Sequence, residues 1–162
     1  NTNVIKEDLE GNLETIKEVC ETYKGQIIYP IDMAYEENGK RHEIATEKLG
    51  EMDVVAGDIG TNTINLFKKE IIVAKTLISN GPPGIFENEH FQKGSFEIVD
   101  ALAESSDKGA FVVIGGGEMG TVAENSGKAD KITISTGGGS LLSILSGKDL
   151  PLLKVLREKI PE

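Results

Sequence analysis

The sequence has a single cysteine, no long hydrophobic run and no excess of positive charge. Because Cys20 has no second cysteine to pair with, an internal disulfide is excluded, and we expect the reducing cytoplasm as its location. A hydrophobic content of 38% without a run of membrane-spanning length predicts a soluble chain. A formal charge of −10 disfavours a nucleic-acid surface. Any anion site must therefore take its positive potential from backbone amides or from a bound cation.

Several catalytic patterns are also missing from the sequence. It contains no His and Cys cluster with metal-ligand spacing and no Gly-x-Ser-x-Gly nucleophile motif. His42 and His90 have no obvious triad partner. A P-loop needs Gly-Lys-Ser/Thr after its glycine turn, which neither glycine triplet provides and which Gly147-Lys148-Asp149 does not match.

Glycine is abundant, with 19 residues that cluster in the second half. The triplet Gly115 to Gly117 follows an apolar run, 110–114, that has the composition of a buried parallel strand. A helix is predicted over 119–126. A strand, a glycine turn and a helix in that order direct the amides of the helix N-terminus at an anion, and only glycine allows so close an approach to the backbone.

A second unit repeats this arrangement. Residues 131–135 predict a short strand, Gly137 to Gly139 form the turn, and 141–145 predict an apolar helix. The two triplets start 22 residues apart, which is about one helix plus one strand. Ligands of parallel sheets bind beyond the carboxyl ends of the strands, where we expect Asn80, Gly115 and Gly137 to lie together.

The rest of the chain predicts further alternation of strands and helices. The predicted strands and extended segments cover 26–29, 52–60 and 74–80, with a hairpin within 32–48 that turns at Asn38-Gly39. The predicted helices cover 6–22, 61–69, 85–91, 94–105 and 151–159. This alternation predicts an α/β fold, a three-layer αβα sandwich with a mostly parallel, doubly wound, Rossmann-like sheet.

The glycine units have alternative interpretations. Gly115, Gly117 and Gly120 also spell G-x-G-x-x-G, but a dinucleotide site needs an acidic residue about 20 positions on, where Ser135 or Thr136 stands. Small residues also allow a helix to pack closely on a strand. Glu118 either complements the helix dipole or binds a magnesium ion carried by phosphates. Glu87 is either a solvated carboxylate or an acceptor for sugar hydroxyls.

Taken together, these residues resemble the carboxyl-terminal, nucleotide-binding domain of the phosphoglycerate kinase family. The resemblance covers about residues 26–157. The matching segments, in the family's order, are 57–60, 74–76, 80–82, 84–87, 115–117, 129–132, 134–139, 145–148 and 150–151.

The resemblance implies a phosphoryl transfer between 1,3-bisphosphoglycerate and ADP, giving 3-phosphoglycerate and ATP with Mg²⁺. It assigns ADP or ATP binding to Asn80, Gly81, Pro82, Glu87, Gly115, Gly116, Gly117, Glu118 and Met119, with Glu118 on the metal. It assigns Gly117, Gly138 and Gly139 to the transferring phosphoryl group. This agrees with phosphoryl transfer generally, which depends on positioning and on neutralising charge.

The sequence departs from the family pattern at several points: Ser79 and Pro83 stand where many members have tryptophan and methionine, and two further departures bear on function. Glu118-Met119 stands where the family has Asp-Thr, so a hydroxyl donor to phosphate is replaced by a thioether. The family's amino-terminal domain, which binds phosphoglycerate, and the first part of the nucleotide domain have no counterpart. We therefore expect residues 1–162 to be a nucleotide domain truncated on its amino-terminal side and inactive alone, with the missing domain as its partner. The alternatives are a non-catalytic nucleotide or phosphate-binding module and a dinucleotide-binding oxidoreductase domain.

Overall fold

The computed structural model describes residues 2–159, with side chains described from 11 to 157. The helices are α1 (Thr2–Thr22), α2 (Thr61–Val73), α3 (Lys93–Asp107), α4 (Gly117–Asn125), α5 (Gly138–Leu145) and α6 (Pro151–Lys159). The strands are β1 (Asp32–Glu37), β2 (Lys40–Ala45), β3 (Ala56–Ile59), β4 (Thr76–Asn80), β5 (Phe111–Gly115) and β6 (Thr133–Ser135). Two 3-10 turns cover Thr46–Glu51 and Ala129–Lys131.

The strands form two three-stranded sheets. The parallel sheet has the order β4-β5-β6 and is flanked by helices, which confirms the predicted α/β class. The antiparallel sheet has the order β2-β1-β3. Its hairpin turns at Asn38 and Gly39, whose φ angles of 53° and 71° suit a two-residue turn that can join only antiparallel strands.

The core lies between one face of the parallel sheet and α3 and α4, and it continues on α3 to α2 and β3 through Ile64 and Ile59. Successive parallel strands joined by right-handed crossovers place both helices on the same face, and α3 contacts α4. The buried side chains of this core include Ile98, Val99, Leu102, Val112, Ile114, Met119 and Val122. On the opposite face, Phe111 and Ile78 remain 61% and 45% exposed. This face of the sheet is therefore only partly covered.

Two predicted elements are wrong. The strand predicted over 26–29 does not form: Gln26 N donates to Tyr23 O (2.9 Å) in a turn, and 27–30 have no regular structure and pair with no described strand. Residues 85–91 form a series of turns instead of a helix. They follow Pro82 and Pro83 and are held against β3 by a hydrogen bond from Ile85 N to Gly57 O (2.9 Å). Of the described helices, none combines the length and the hydropathy needed to span a bilayer.

Candidate functional site

Three chain segments meet at the carboxyl edge of the parallel sheet. Asn80 ends β4 and pairs with Gly115, which ends β5 and pairs in turn with Ser135 of β6. Gly116 N donates to Ser135 O at 2.9 Å, which ties the first glycine turn to the last strand. Gly137 stands two residues after the end of β6 and is the N-cap residue of α5. The predicted placement of Asn80, Gly115 and Gly137 at one edge of the sheet is confirmed.

The Asn80 side chain lies between the two glycine turns. A Cβ atom on Gly115 would lie 2.7 Å from Asn80 Oδ1 and 2.6 Å from Leu141 Cδ2. On Gly138 it would lie 2.9 Å from the same oxygen and 3.0 Å from Gly116 Cα. A side chain at 115 would displace Asn80 and Leu141, and one at 138 would also press on the Gly116 backbone, so glycine at both positions lets the turns pack closely. Gly116 is required for another reason, since its φ of 92° lies in the left-handed region.

The amides of both helix N-termini at this edge are open. At the N-cap residues of these helices, Gly116 and Gly137, no described side chain accepts a hydrogen bond from the first turn. The first bonds inside the helices run from Gly120 N to Gly116 O and from Leu141 N to Gly137 O. For the amides of residues 117–119 and 138–140, the described part of the chain provides no acceptor. Two neighbouring helix N-termini with free N–H groups favour a shared anion.

Helix α2 shows what a satisfied N-terminus looks like in the same fold. It also follows a glycine, Gly60, but its amides are taken by carboxylates. Asn62 N and Thr63 N donate to Asp32 at 2.9 and 2.7 Å, and Thr61 N donates to Glu43 at 3.0 Å. Burial raises the pKa of Asp32, but the hydrogen bonds from Thr63 and Asn62 outweigh it and hold the pKa below its usual value. The chain supplies its own anions to α2, and the described residues supply none to α4 or α5.

Glu118 and Met119 have opposite surroundings in the first turn of α4. Glu118 is exposed and forms no ion pair with a described residue, so its carboxylate is available to a metal. Met119 is 0% exposed and packs in the core between the sheet and the helices. Its side chain cannot contact a ligand, and only its backbone N–H lies in the open turn.

The loop after β4 leads away from the glycine turns. Gly81 has a φ of 82°, which allows a sharp change of direction directly after Asn80. Ile85 N then donates to the carbonyl oxygen of Gly57, which lies in β3. Glu87 is exposed and has no described contact with the glycine turns. The structure thus brings together Asn80 and the two triplets, and it leaves Glu87 apart from them.

The site is an open edge with no basic side chain bonded to it among the described residues. Its positive potential comes from backbone amides.

Two clefts lie elsewhere: one of about 280 Å³ is lined by Glu89, Gln92, Lys93, Phe96 and Glu97, and one of about 160 Å³ lies beside Asp32 and Glu43. The sequence did not predict a role for Leu141, whose side chain packs against Gly115. No local pattern shows which residue of the second strand–turn–helix unit contacts the first.

Comparison with known proteins gives consistent results. A family model described as phosphoglycerate kinase matches residues 1–148. The curated phosphoglycerate kinase of Methanothermus fervidus is 37% identical over 147 residues, which are 90% of this chain and 35% of that protein. The one of Methanococcus maripaludis is 39% identical over 158 residues, 96% of this chain and 37% of that protein.

Solved structures agree with these relatives. The crystal structure of phosphoglycerate kinase from Pyrococcus horikoshii matches with a TM-score of 0.83 and 31% identity, covering 97% of this chain and 39% of that one. The phosphoglycerate kinase structure from Coxiella burnetii matches with a TM-score of 0.79 and 26% identity, covering 92% of this chain and 39% of that one. The chain spans little more than a third of the length of the relatives it matches.

Proposed function

The chain belongs to the phosphoglycerate kinase family, and we propose that it is the carboxyl-terminal, nucleotide-binding part of such a kinase, comprising residues 1–162. The whole enzyme would transfer a phosphoryl group between 1,3-bisphosphoglycerate and ADP, in the glycolysis of the cytoplasm. The observation that carries the proposal is the pair of uncapped helix N-termini, α4 and α5, that begin side by side at one edge of the parallel sheet.

In this proposal the phosphates of ADP or ATP bind along that edge. The open amides of Gly117, Glu118 and Met119 would hold the β-phosphate and the transferring group, and Gly115 and Gly116 would border it, since Gly116 N already donates to Ser135 O. The amides of Gly138 and Gly139 would face the same group from α5. Added Cβ atoms on Gly117 and Gly139 would meet nothing within 4 Å, which leaves room for a phosphate against the backbone. Donors held in place before the reaction stabilise developing charge without reorganisation.

Glu118 is the residue that would hold Mg²⁺. Among the described residues no group of three His, Cys, Asp or Glu side chains is arranged around a metal position. A magnesium ion would therefore take the exposed Glu118 carboxylate together with phosphate oxygens and water, which is a usual ligand set for this ion. When bound, the ion neutralises phosphate charge and aligns the group.

Asn80, Gly81, Pro82 and Glu87 complete the proposed nucleotide site. Asn80 lies between the two glycine turns and would contact the phosphates through its amide. Gly81 and Pro82 would border the nucleotide with their backbone. For Glu87 to accept from the ribose, the nucleotide must extend from the glycine turns over the loop that follows β4. Phosphoglycerate would bind to the remaining two thirds of the kinase, so we expect no phosphoryl transfer by this chain alone.

A second candidate function is a phosphate-binding module without catalysis. Met119, which follows the proposed metal ligand Glu118, favours this function, since its side chain is buried and offers no hydrogen-bond donor to phosphate. Magnesium dependence separates the two candidates, because the kinase proposal requires that Mg²⁺ strengthen ADP binding. A dinucleotide-binding domain is disfavoured by Ser135 and Thr136, which stand where an acidic residue would bind the ribose.

Calorimetric titration of ADP into the chain, with and without Mg²⁺, tests the proposal. We expect saturable binding that Gly138→Ala weakens by about tenfold or more, since its Cβ would lie 2.9 Å from Asn80 Oδ1 and separate the two turns. Gly50→Ala is the matched control, because a Cβ there meets nothing within 4 Å and lies outside the site. Absence of saturation by the folded wild-type chain, or equal losses in both variants, would contradict the assignment.

A further inference from the structure

A buried polar cluster lies outside the glycine turns, where the hairpin, β3, α3 and the loop after β4 meet. The Asp58 side chain is 0% exposed. Arg41, from β2, is 17% exposed and donates from Nη1 to Asp58 Oδ2 at 2.8 Å. A buried carboxylate is tolerated only when it is paired and hydrogen-bonded, so Asp58 depends on this arginine.

Asp58 connects the start of α3 to β3. Gly94 N, in the first turn of α3, donates to Asp58 Oδ2 at 2.8 Å. Ile59 N donates to Asp58 Oδ1 at 2.9 Å. The carboxylate is therefore surrounded by one side chain and two backbone donors.

Arg41 also binds the loop that joins β4 to α3. Its Nη1 donates to His90 O at 2.7 Å, and its Nη2 donates to Ile59 O at 2.8 Å. The same loop presses on Asp58 at its other end, since a Cβ on Gly84 would lie 2.3 Å from Asp58 Oδ1. Only residues 81–83 separate this contact from Asn80.

We propose that Arg41 is a positioning residue for the nucleotide site, which holds the loop after Asn80 against β3 through Asp58 and His90. The proposal rests on the proposed function, because it concerns the same site. The planar guanidinium reaches two carboxylates, of Asp58 and Glu43, and two carbonyls at once, and a lysine ammonium lacks that fixed geometry. None of the hydrogen bonds described for Arg41 goes to the parallel sheet, so its effect on the site passes through the loop.

Hydrogen exchange and MgADP titration of Arg41→Lys in the full chain test this role. We expect the amides of Ile85 and Gly94 to exchange about tenfold faster, as for loss of a hydrogen bond to a charged group. The amides of Val112 and Ile114 in β5 keep their rates, and MgADP affinity falls by a similar factor. Arg157→Lys is the control, because Arg157 is 76% exposed and its described ion-pair partner, Asp149, is 3.7 Å away.

A second variant approaches the same loop from its other end. Gly84→Ala keeps the Arg41 side chain, and its Cβ would lie 2.3 Å from both Asp58 Oδ1 and the Phe91 carbonyl oxygen, so the loop must move. We expect this variant to accelerate hydrogen exchange at the Ile85 amide and to lower MgADP affinity. It therefore tests the role of the loop even if Arg41→Lys does not fold.

The outcomes separate the two proposals. Acceleration at all four amides alike means that Arg41 supports only global stability, and it overturns the positioning role. Faster loop exchange with unchanged MgADP affinity overturns it as well. A wild-type chain that binds no MgADP contradicts the proposed function itself, and with it any role of Arg41 in that binding.

Discussion

Glycine has two distinct roles within each triplet. At 115 and 138 a side chain would collide with Asn80, so these glycines allow the two turns to touch. At 117 and 139 a side chain would meet open space, so these glycines leave the backbone accessible. A sequence shows only that a triplet is present. Which member packs and which faces the ligand depends on contacts between segments that are more than twenty residues apart.

The two residues that follow the first glycine triplet, Glu118 and Met119, also have separate roles. Met119 fills the core, where its loss would leave a cavity, while Glu118 points to solvent at the positive end of α4. A carboxylate close to bound phosphates is unfavourable unless a cation lies between them. Glu118 is therefore the residue at which metal dependence is best tested.

We expect Glu118→Gln to weaken MgADP binding by about tenfold, which is the size of loss that substitutions beside a bound metal typically cause. ADP binding without metal should stay equal or become tighter. The amide keeps the size of the side chain and removes the charge that the ion requires. Titrations with Mg²⁺ and with a chelator measure both quantities. Glu124→Gln, on the exposed last turn of α4, is the matched control. An Mg²⁺ dependence equal to that of the wild-type chain would exclude Glu118 as a ligand.

At the scale of elements, the strand–turn–helix units could be predicted because each is encoded locally. Residues 110–114 are apolar and mostly aromatic or β-branched, and the triplet after them marks both the end of the strand and the start of the helix. Residues 26–29 have a similar composition but form no strand, since a strand also needs a neighbour. The division into two sheets and the Arg41–Asp58 cluster likewise depend on distant segments, for which one sequence carries no signal.

The N-terminus of α2 gives a prediction on pH. The pKa of Asp32 is below its usual value, so its stabilisation is present above the ordinary carboxyl pKa of about 4 and is lost as pH falls through the lower value of the folded state. Burial raises the pKa of Glu43 too, but the hydrogen bonds from Thr61 and Arg41 outweigh it, and the pKa is again lowered. Both carboxylates therefore contribute to acid unfolding in the same direction.

We expect Asp32→Asn to lower the free energy of unfolding by about 1–2 kcal/mol at neutral pH, as for loss of a helix cap. Below pH 4 the difference from wild type becomes smaller, because Asp32 takes up a proton in the unfolded chain first and in the folded chain only as the pH falls through its lowered pKa. Urea unfolding at a series of pH values measures this. Asp53→Asn is the control, since Asp53 is exposed and has no described partner. A difference that stayed constant down to pH 3 would contradict the assigned role.

At the scale of the whole molecule, the apolar surfaces are distributed unevenly. One face of the parallel sheet is packed by α3 and α4, while Phe111 and Ile78 on the other face are largely exposed. Three apolar residues of α1, Leu13, Ile16 and Val19, are also more than a third exposed. The chain covers 35–39% of its relatives' length, so in the proposed whole kinase these faces have further chain to pack against.

In the isolated chain we expect the open sheet face to promote self-association, because contiguous apolar surface is removed from water when two copies meet. Replacing both Phe111 and Ile78 with Thr keeps strand propensity and should shift the sedimentation velocity distribution towards the monomer. Val55→Thr is the control: Val55 is 82% exposed but lies outside this face, so its replacement should leave the distribution unchanged. A wild-type chain that sediments as a monomer at every concentration would show that the open face does not drive association.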